Sequence, residues 1–281
     1  MFYKTLAPGC IGHGSVRFAD AAAVTAANGF EGYWFSTGDL SGDPAATAAL
    51  LEKHHLKPAG FGLPVEYRKD EQKYQEDMAK LPAYLDFAQK IGITRCITWI
   101  IPFHDRLTFS ENFELHRRRL TPAAQMLKDH GMTFGLEFLG PKKLRKNVNF
   151  QFIHDLDGML ELCDAIGTGN CGILMDAWHW YMAEQKFEDF SKFTSPDQIV
   201  CAHIMDAPAG VPDDEQEDLV RRLPGTTGII RIEEFFAGLS KVGYDGPVLV
   251  EPFERFLSMI DFEEAVEITK KSMDKVWPKG K

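Results

Sequence analysis

Residues 171–180 read Cys171-Gly172-Ile173-Leu174-Met175-Asp176-Ala177-Trp178-His179-Trp180. An apolar run ends in a carboxylate, and a histidine stands three positions beyond it. A short continuous apolar run suits a strand covered on both faces, as in a parallel sheet. Similar runs occur at Phe2–Ala7, Gly32–Ser36, Pro58–Leu63, Arg95–Ile101, Thr133–Phe138, Val200–Met205 and Pro247–Glu251. Helical spacing fills the intervals at Ala21–Asn28, Pro44–His55, Gln72–Ile91, Ser110–His130, Phe152–Ile166, Ile232–Val242 and Glu263–Val276. A weaker helical stretch covers Glu184–Phe193. Asp20 is the expected N-cap of the first helix, and Gly29 its expected left-handed end. Thr121-Pro122 predicts a break or a fresh start within Ser110–His130, since proline suits a first helical turn.

A strand followed by a helix, eight times over, predicts a single-domain (β/α)₈ TIM barrel of α/β class over residues 1–281. A doubly wound open sheet is the rival. No Gly-x-Gly-x-x-Gly follows the first strand, so no nucleotide cofactor is expected. The stretch Ala207–Gly228, rich in Pro, Gly and Asp, is long for a βα loop and is a candidate lid or substrate contact.

The chain has 281 residues, a formal charge of −10 and 44% hydrophobic residues, the balance of a globular protein rather than a disordered one. A negative chain is repelled by phosphates, so nucleic acid is not an expected partner. No stretch approaches the roughly 18 consecutive apolar residues that span a bilayer. The opening Met1–Pro8 lacks the apolar core of a secretion signal. Five cysteines, an odd number with no Cys-x-x-Cys, suggest neither a disulfide framework nor a zinc knuckle. The expected setting is a reducing cytoplasm.

In a barrel the catalytic groups project from the C-terminal strand ends. Four consecutive ends deliver Glu137, Asp176 with His179, His203 with Asp206, and Glu251. An ionised carboxylate buried without a partner costs several kcal/mol. Any one of these residues could be a helix cap or a salt-bridge partner. All of them at one barrel mouth point instead to a divalent cation between Glu137, Asp176, His203 and Glu251. Three carboxylates and one imidazole suit Mn²⁺, Mg²⁺, Co²⁺ or Zn²⁺.

The ordered set Gly135-Leu136-Glu137, Met175-Asp176-Ala177-Trp178-His179, Ala202-His203-Ile204-Met205-Asp206, Arg221-Arg222-Leu223-Pro224-Gly225 and Gly243–Glu251 resembles the sugar isomerase/epimerase superfamily with the xylose-isomerase-like TIM barrel. The likeness is nearest to the ketose 3-epimerase and inosose-processing branch. It implies that Glu137, Asp176, His203 and Glu251 hold one divalent cation, most often Mn²⁺. It implies that Glu137 and Glu251 are the acid/base pair and that His179 contacts a substrate oxygen. Arg221, with Arg222 as the alternative, matches the family's substrate arginine. The acidic insert Asp213–Asp218 departs from the family pattern. The resemblance also implies a small sugar or cyclitol as substrate and allows a homo-oligomer.

A cation bound to a carbonyl and a neighbouring hydroxyl acidifies the C–H between them. Two glutamates on opposite faces would then invert that centre through an enediolate, giving an isomerase or epimerase. One glutamate and a departing oxygen would give a lyase or dehydratase on a keto-sugar, keto-inositol or 3-keto-glycoside. An endonuclease on abasic DNA would need more metal-binding histidines and a basic groove. A sugar-binding barrel without activity would carry a defective ligand set.

Other residues have weaker claims. His13 and Cys10 follow the first strand; His13 is a candidate substrate contact. Trp34, Trp99, Trp178 and Trp180 could form a stacking wall for a sugar or ring, with Trp178 a candidate substrate contact. Asp206 is expected to orient His203 or a substrate hydroxyl. Glu66 and His104 read as solvated loop residues. Lys142, Lys143, Arg145 and Lys146 read as a solvated face, or as an anion contact.

Overall fold

The structure, a computed structural model, describes residues 2–279. Eight parallel strands close in chain order: β1 (Tyr3–Leu6), β2 (Gly32–Phe35), β3 (Lys57–Gly62), β4 (Arg95–Ile100), β5 (Thr133–Phe138), β6 (Cys171–Asp176), β7 (Ile199–Ile204) and β8 (Pro247–Val250), which pairs back to β1. Around them run α1 (Phe18–Ala27), α2 (Pro44–His54), α3 (Glu71–Lys90), α4 (Phe109–Asp129), α5 (Leu156–Ile166), α6 (Ala177–Met182), α7 (Ile232–Val242) and α8 (Phe262–Val276). This is the expected (β/α)₈ TIM barrel. Among the described residues no helix is long and apolar enough to cross a membrane.

Apolar residues between the barrel and its helices form the outer core. Inside the barrel a small cluster of Tyr3, Trp34, Ala59, Leu174, Cys201 and Leu249 fills the lumen. Gly60 makes this filling possible. A Cβ there would fall 2.4 Å from the Trp34 ring and 2.9 Å from the Arg95 carbonyl. Trp34 is thus largely a packing residue.

Four local expectations change. First, α4 runs unbroken through Pro122. A proline removes one helical hydrogen bond. The capping box of Thr108 with Glu111, and the burial of Leu120, Ala123, Ala124 and Leu127, hold the helix across it. Second, Asp20 does not cap α1. Asp39 of the following βα loop accepts from the Phe18 N–H at 2.9 Å, and its other oxygen takes the N–H and hydroxyl of Ser36. Gly29 does adopt the left-handed form, with φ of +75°. Third, α5 starts at Leu156 because Asp155 caps it through the Gly158 N–H. Fourth, the stretch after β6 is not one helix over Glu184–Phe193. α6 starts at once, capped by Asp176, and stops before Glu184, whose φ is +57°. A 3₁₀ turn over Phe187–Lys192 follows.

His116 on α4 lies buried between Tyr67 and Phe152, with ring centroids 5.5 and 4.9 Å away. Burial pushes its pKa down to about 4; the bond from its Nδ1 to the Asn112 carbonyl opposes this, and nearby Arg68, His104 and Arg119 reinforce it. On acidification the unfolded chain takes up this proton first, near pH 6.5. Stability is therefore lost as pH falls from about 6.5 to about 4, by about 3 kcal/mol. Urea unfolding should show wild type losing that amount relative to His116→Gln between pH 7 and pH 4. A constant difference between the two proteins would contradict the assignment.

Candidate metal centre

Glu137 sits on β5, Asp176 ends β6, His203 lies on β7 and Glu251 follows β8. Register pairs Asp176 with His203 and His203 with Leu249, so the three adjacent strand ends meet at one level. One ligand atom of each of the four residues lies within 4.8 Å of all the others. Glu137, Asp176 and His203 are buried and Glu251 is half-buried. Glu137 Oε1 and both ring nitrogens of His203 have no hydrogen-bond partner among the described residues. A buried polar atom left unpaired costs about 1–3 kcal/mol. Lone pairs on oxygen and imidazole nitrogen, crowded with negative charge, are the donor set that a divalent cation fits.

Asp176 has two roles. Its Oδ1 accepts the His179 N–H at 2.9 Å, which caps α6 and explains the three-residue spacing. Its Oδ2 faces inward and accepts from Arg221 Nη1 at 3.1 Å. The same Nη1 donates to Glu251 Oε2 at 3.0 Å. His179 Nδ1 accepts the Gly140 N–H at 3.3 Å, which assigns the ring proton to Nε2. That Nε2 lies 3.1 Å from Arg221 Nη2, so two donors stand side by side and need a common acceptor. Asp218 Oδ1 accepts from Arg221 Nη2 at 3.0 Å but lies 3.7 Å from His179 Nε2, beyond hydrogen-bond reach, so the imidazole donor is left without an acceptor there.

Charge sets the protonation pattern of this cluster. Burial, then the like charges of Asp176 and Glu251, push Glu137 well above the usual carboxylate range. Burial works the same way on Asp176, but Arg221, His179 and His203 outweigh it and hold Asp176 low. Glu251 is held below its ordinary value against burial by His203 and Arg221. His203 is driven up against burial by Glu251 and Asp176. Burial lowers His179, keeping its ring neutral.

Beside the cluster opens a cavity of about 750 Å³. Glu137, His179, Arg221 and Glu251 line it. Of the two candidate arginines, Arg221 enters it, while Arg222 points to Glu254 at 3.5 Å. Trp178 does not line the cavity; it is fully buried, with the Arg221 guanidinium 5.5 Å over its ring. Trp180 packs on Phe190 and Phe235 in the core. Trp99 alone of the four candidate tryptophans lines this cavity. His13 turns away, bonded to the Leu257 carbonyl at 2.8 Å and packed on Phe262. Cys10 Sγ reaches Glu251 Oε1 at 3.6 Å. Glu66 is not a free loop acid but pairs with Arg68 at 2.8 Å. His104 Nδ1 accepts the N–H groups of Arg106 and Leu107.

Asp206 does not reach His203. Its carboxylate is fully buried and accepts the N–H groups of Ala207, Thr227, Gly228, Ile229 and Ile230 at 2.7–3.1 Å. Its backbone pairs with Arg222 through two 2.8 Å bonds. Asp206 therefore ties both ends of the long loop after β7 and sets Arg221 in place. The basic run after β5 pairs with that loop and its neighbour: Lys143 with Glu217 (2.8 Å), Lys146 with Asp214 (3.3 Å) and Glu215 (3.1 Å), and Lys142 with Glu184. These lysines engage protein carboxylates, which accounts for the acidic insert. Asp218 and Phe253 were missed from sequence. The one available signal for Asp218 was its position three residues before Arg221.

The sequence profile of the xylose isomerase-like TIM barrel family matches residues 19–276. The chain belongs to this family. It is 25% identical over 225 residues to an inosose isomerase of Halalkalibacterium halodurans, covering 79% of this chain and 75% of that one. The fold is shared with the crystal structure of the IOLI protein with a zinc atom (TM-score 0.81, 18% identity, 98% of each chain). It is shared as well with D-psicose 3-epimerase from Clostridium cellulolyticum H10 (TM-score 0.75, 15% identity, 98% of each chain).

Asp206→Ala would strand several buried N–H groups and release the loop that carries Arg221. It should lower unfolding free energy in urea by at least about 3 kcal/mol. A loss under about 1 kcal/mol would show that water replaces the carboxylate at little cost.

Proposed function

We propose that this family member is a divalent-metal-dependent isomerase or epimerase acting on a keto-sugar or keto-cyclitol by proton transfer beside the carbonyl. The observation that carries this reading is the convergence of Glu137, Asp176, His203 and Glu251 within 4.8 Å, with Glu137 and Glu251 facing the cavity. The inosose isomerase relative, the epimerase neighbour and the zinc in another neighbour support it. Those four residues would hold the cation, Mn²⁺ first and Mg²⁺, Co²⁺ or Zn²⁺ as alternatives. When bound, it polarises the carbonyl and stabilises the negative charge that builds as the proton leaves.

The remaining work falls to side chains. Glu137 on β5 and Glu251 just past the end of β8 both line the cavity, three strands apart around the barrel. One carboxylate takes the proton from carbon; the other returns a proton to the opposite face, which inverts the centre through an enediolate. The Nε2–H of His179 and the Nη2 of Arg221 form a pair of donors for one substrate oxygen. Arg221 cannot swing away, because Asp176, Glu251 and Asp218 hold its guanidinium.

Proton NMR in D₂O with the Mn²⁺-loaded protein and a panel of keto-sugars and keto-cyclitols tests this. Deuterium should enter the carbon beside the carbonyl, and EDTA should abolish the exchange. Glu137→Gln should slow it by about 10³-fold. Exchange that survives both EDTA and the substitution would end the proposal.

A further inference from the structure

A second cavity, of about 260 Å³, lies between the loop after β4 and the first turns of α4. It shares no lining residue with the cavity beside the ionic cluster. A short antiparallel pairing, Phe103 with Gln151 and His104 with Phe150, braces one wall.

The inner wall is polar and unpaired. Asn112 is 1% exposed, yet neither its Nδ2 nor its Oδ1 has a hydrogen-bond partner among the described residues. His116, 5% exposed, leaves its Nε2 unpaired as well. Its Nδ1 meets the Asn112 carbonyl at 2.8 Å and so carries the ring proton. Burial, and after it the positive charges of Arg68, His104 and Arg119, keep that ring neutral against the Asn112 bond. His116 Nε2 is therefore an acceptor with nothing to accept. A buried polar atom left without a partner costs about 1–3 kcal/mol, and three of them belong to residues lining one cavity. Two or three waters would satisfy them, but a water takes about 30 Å³ and the cavity has room well beyond that.

The outer wall presents cationic donors. Arg68 donates from Nε and Nη2 to Glu66 at 2.8 and 3.2 Å, and from Nη1 to the Trp99 carbonyl at 3.1 Å. These bonds fix the guanidinium and leave two of its five N–H groups unused among the described residues. Arg106 is exposed, and no carboxylate of the described residues pairs with it. His104 Nδ1 accepts the N–H groups of Arg106 and Leu107 at 3.0 and 2.9 Å, so its ring proton is on Nε2. The acid of the lining, Asp105, is exposed and adds an acceptor for a hydroxyl.

We propose that this cavity binds a small hydroxycarboxylate, whose carboxylate lies against Arg68, Arg106 and His104 while its hydroxyls satisfy Asn112 and His116. One hydroxyl accepts from Asn112 Nδ2 and donates to His116 Nε2. A second donates to Asn112 Oδ1. The site needs neither a cation nor proton transfer at Glu137 and Glu251, and it stands or falls apart from them.

Isothermal titration of the full-length protein with D-glycerate tests it, once with Mn²⁺ and once with EDTA, because a hydroxycarboxylate also chelates metal. Binding should saturate with a Kd of about 1 mM or tighter in both. Glycerol, which lacks the carboxylate, and propionate, which lacks the hydroxyls, should bind at least about tenfold more weakly. Arg106→Gln should weaken D-glycerate at least about tenfold. Asn112→Leu should abolish binding and raise the melting temperature by about 2 °C or more, since an apolar side chain of similar size removes two unpaired groups. No binding by wild type at about 20 mM overturns the proposal. A lowered melting temperature in Asn112→Leu with no such binding would show that ordered water alone fills the cavity. Binding that needs Mn²⁺, that glycerol or propionate matches, or that survives both substitutions overturns it too. So does tighter binding of sn-glycerol 3-phosphate, which would make the site one for phosphate.

Discussion

Three carboxylates and an imidazole converge on a space less than 5 Å across, in largely buried surroundings. The chain supplies one permanent positive charge to this cluster, the guanidinium of Arg221, bonded to Asp176 and Glu251. His203 adds a second only by holding a proton, driven there by Glu251 and Asp176. With Asp218 included, the negative groups outnumber the positive ones. Much of the rest of the structure answers that imbalance. It explains why a long loop with little regular structure is nonetheless well anchored: its task is to bring Arg221 to a fixed point.

The anchoring has a hierarchy. The surface pairs between the basic run and the acidic insert are solvent-exposed, and such pairs contribute about 0–1 kcal/mol each. They can align the loop but cannot hold it. Asp206 can, because its buried carboxylate satisfies backbone groups from both ends of the segment. Gln216 adds a buried link within the loop, donating to the carbonyls of Pro208 and Val211. Between these two anchors the tip carries Leu219 and Val220 exposed. Their exposure does not loosen the tip, because Asp218 and Arg221 on either side of them are bonded to one another.

The barrel and its four converging strand ends were legible because the signal is local. A covered strand must be apolar, so a charged residue ending such a run stands out, and its place at the barrel mouth follows from the fold. The i to i+3 relation of Asp176 and His179 was visible too, although its cause, a helix cap, was not. What stayed hidden depends on partners far along the chain. Asp39 caps a helix that begins at Phe18, while Asp20 had the better local position. Pro122 looked like a stop because propensity ignores the burial that carries α4 through it. Asp206 read as a companion of His203 from its spacing, yet its carboxylate serves a loop returning from Ile230. Asp218 stood only as part of an acidic insert, and the basic run read as a solvated face or an anion contact, because neither stretch reveals the other.

The ionic cluster and the apolar side chains that line the cavity also differ in origin. The cluster comes from strand ends whose levels are locked by the barrel register. The apolar lining comes mainly from loops: Leu139 and Leu144 after β5, Leu219 after β7 and Phe253 after β8. Changing a loop residue leaves the strand register, and so the cluster, where it was. Trp99 is the exception, being a strand residue paired with Glu137. Its backbone is therefore fixed relative to Glu137 by the register. A substrate group resting against Trp99 would be referenced to Glu137 through one strand spacing, about 4.8 Å, and not through a loop. Such a contact would help set which carbon stands before Glu137 and Glu251, where proton transfer tolerates little misplacement.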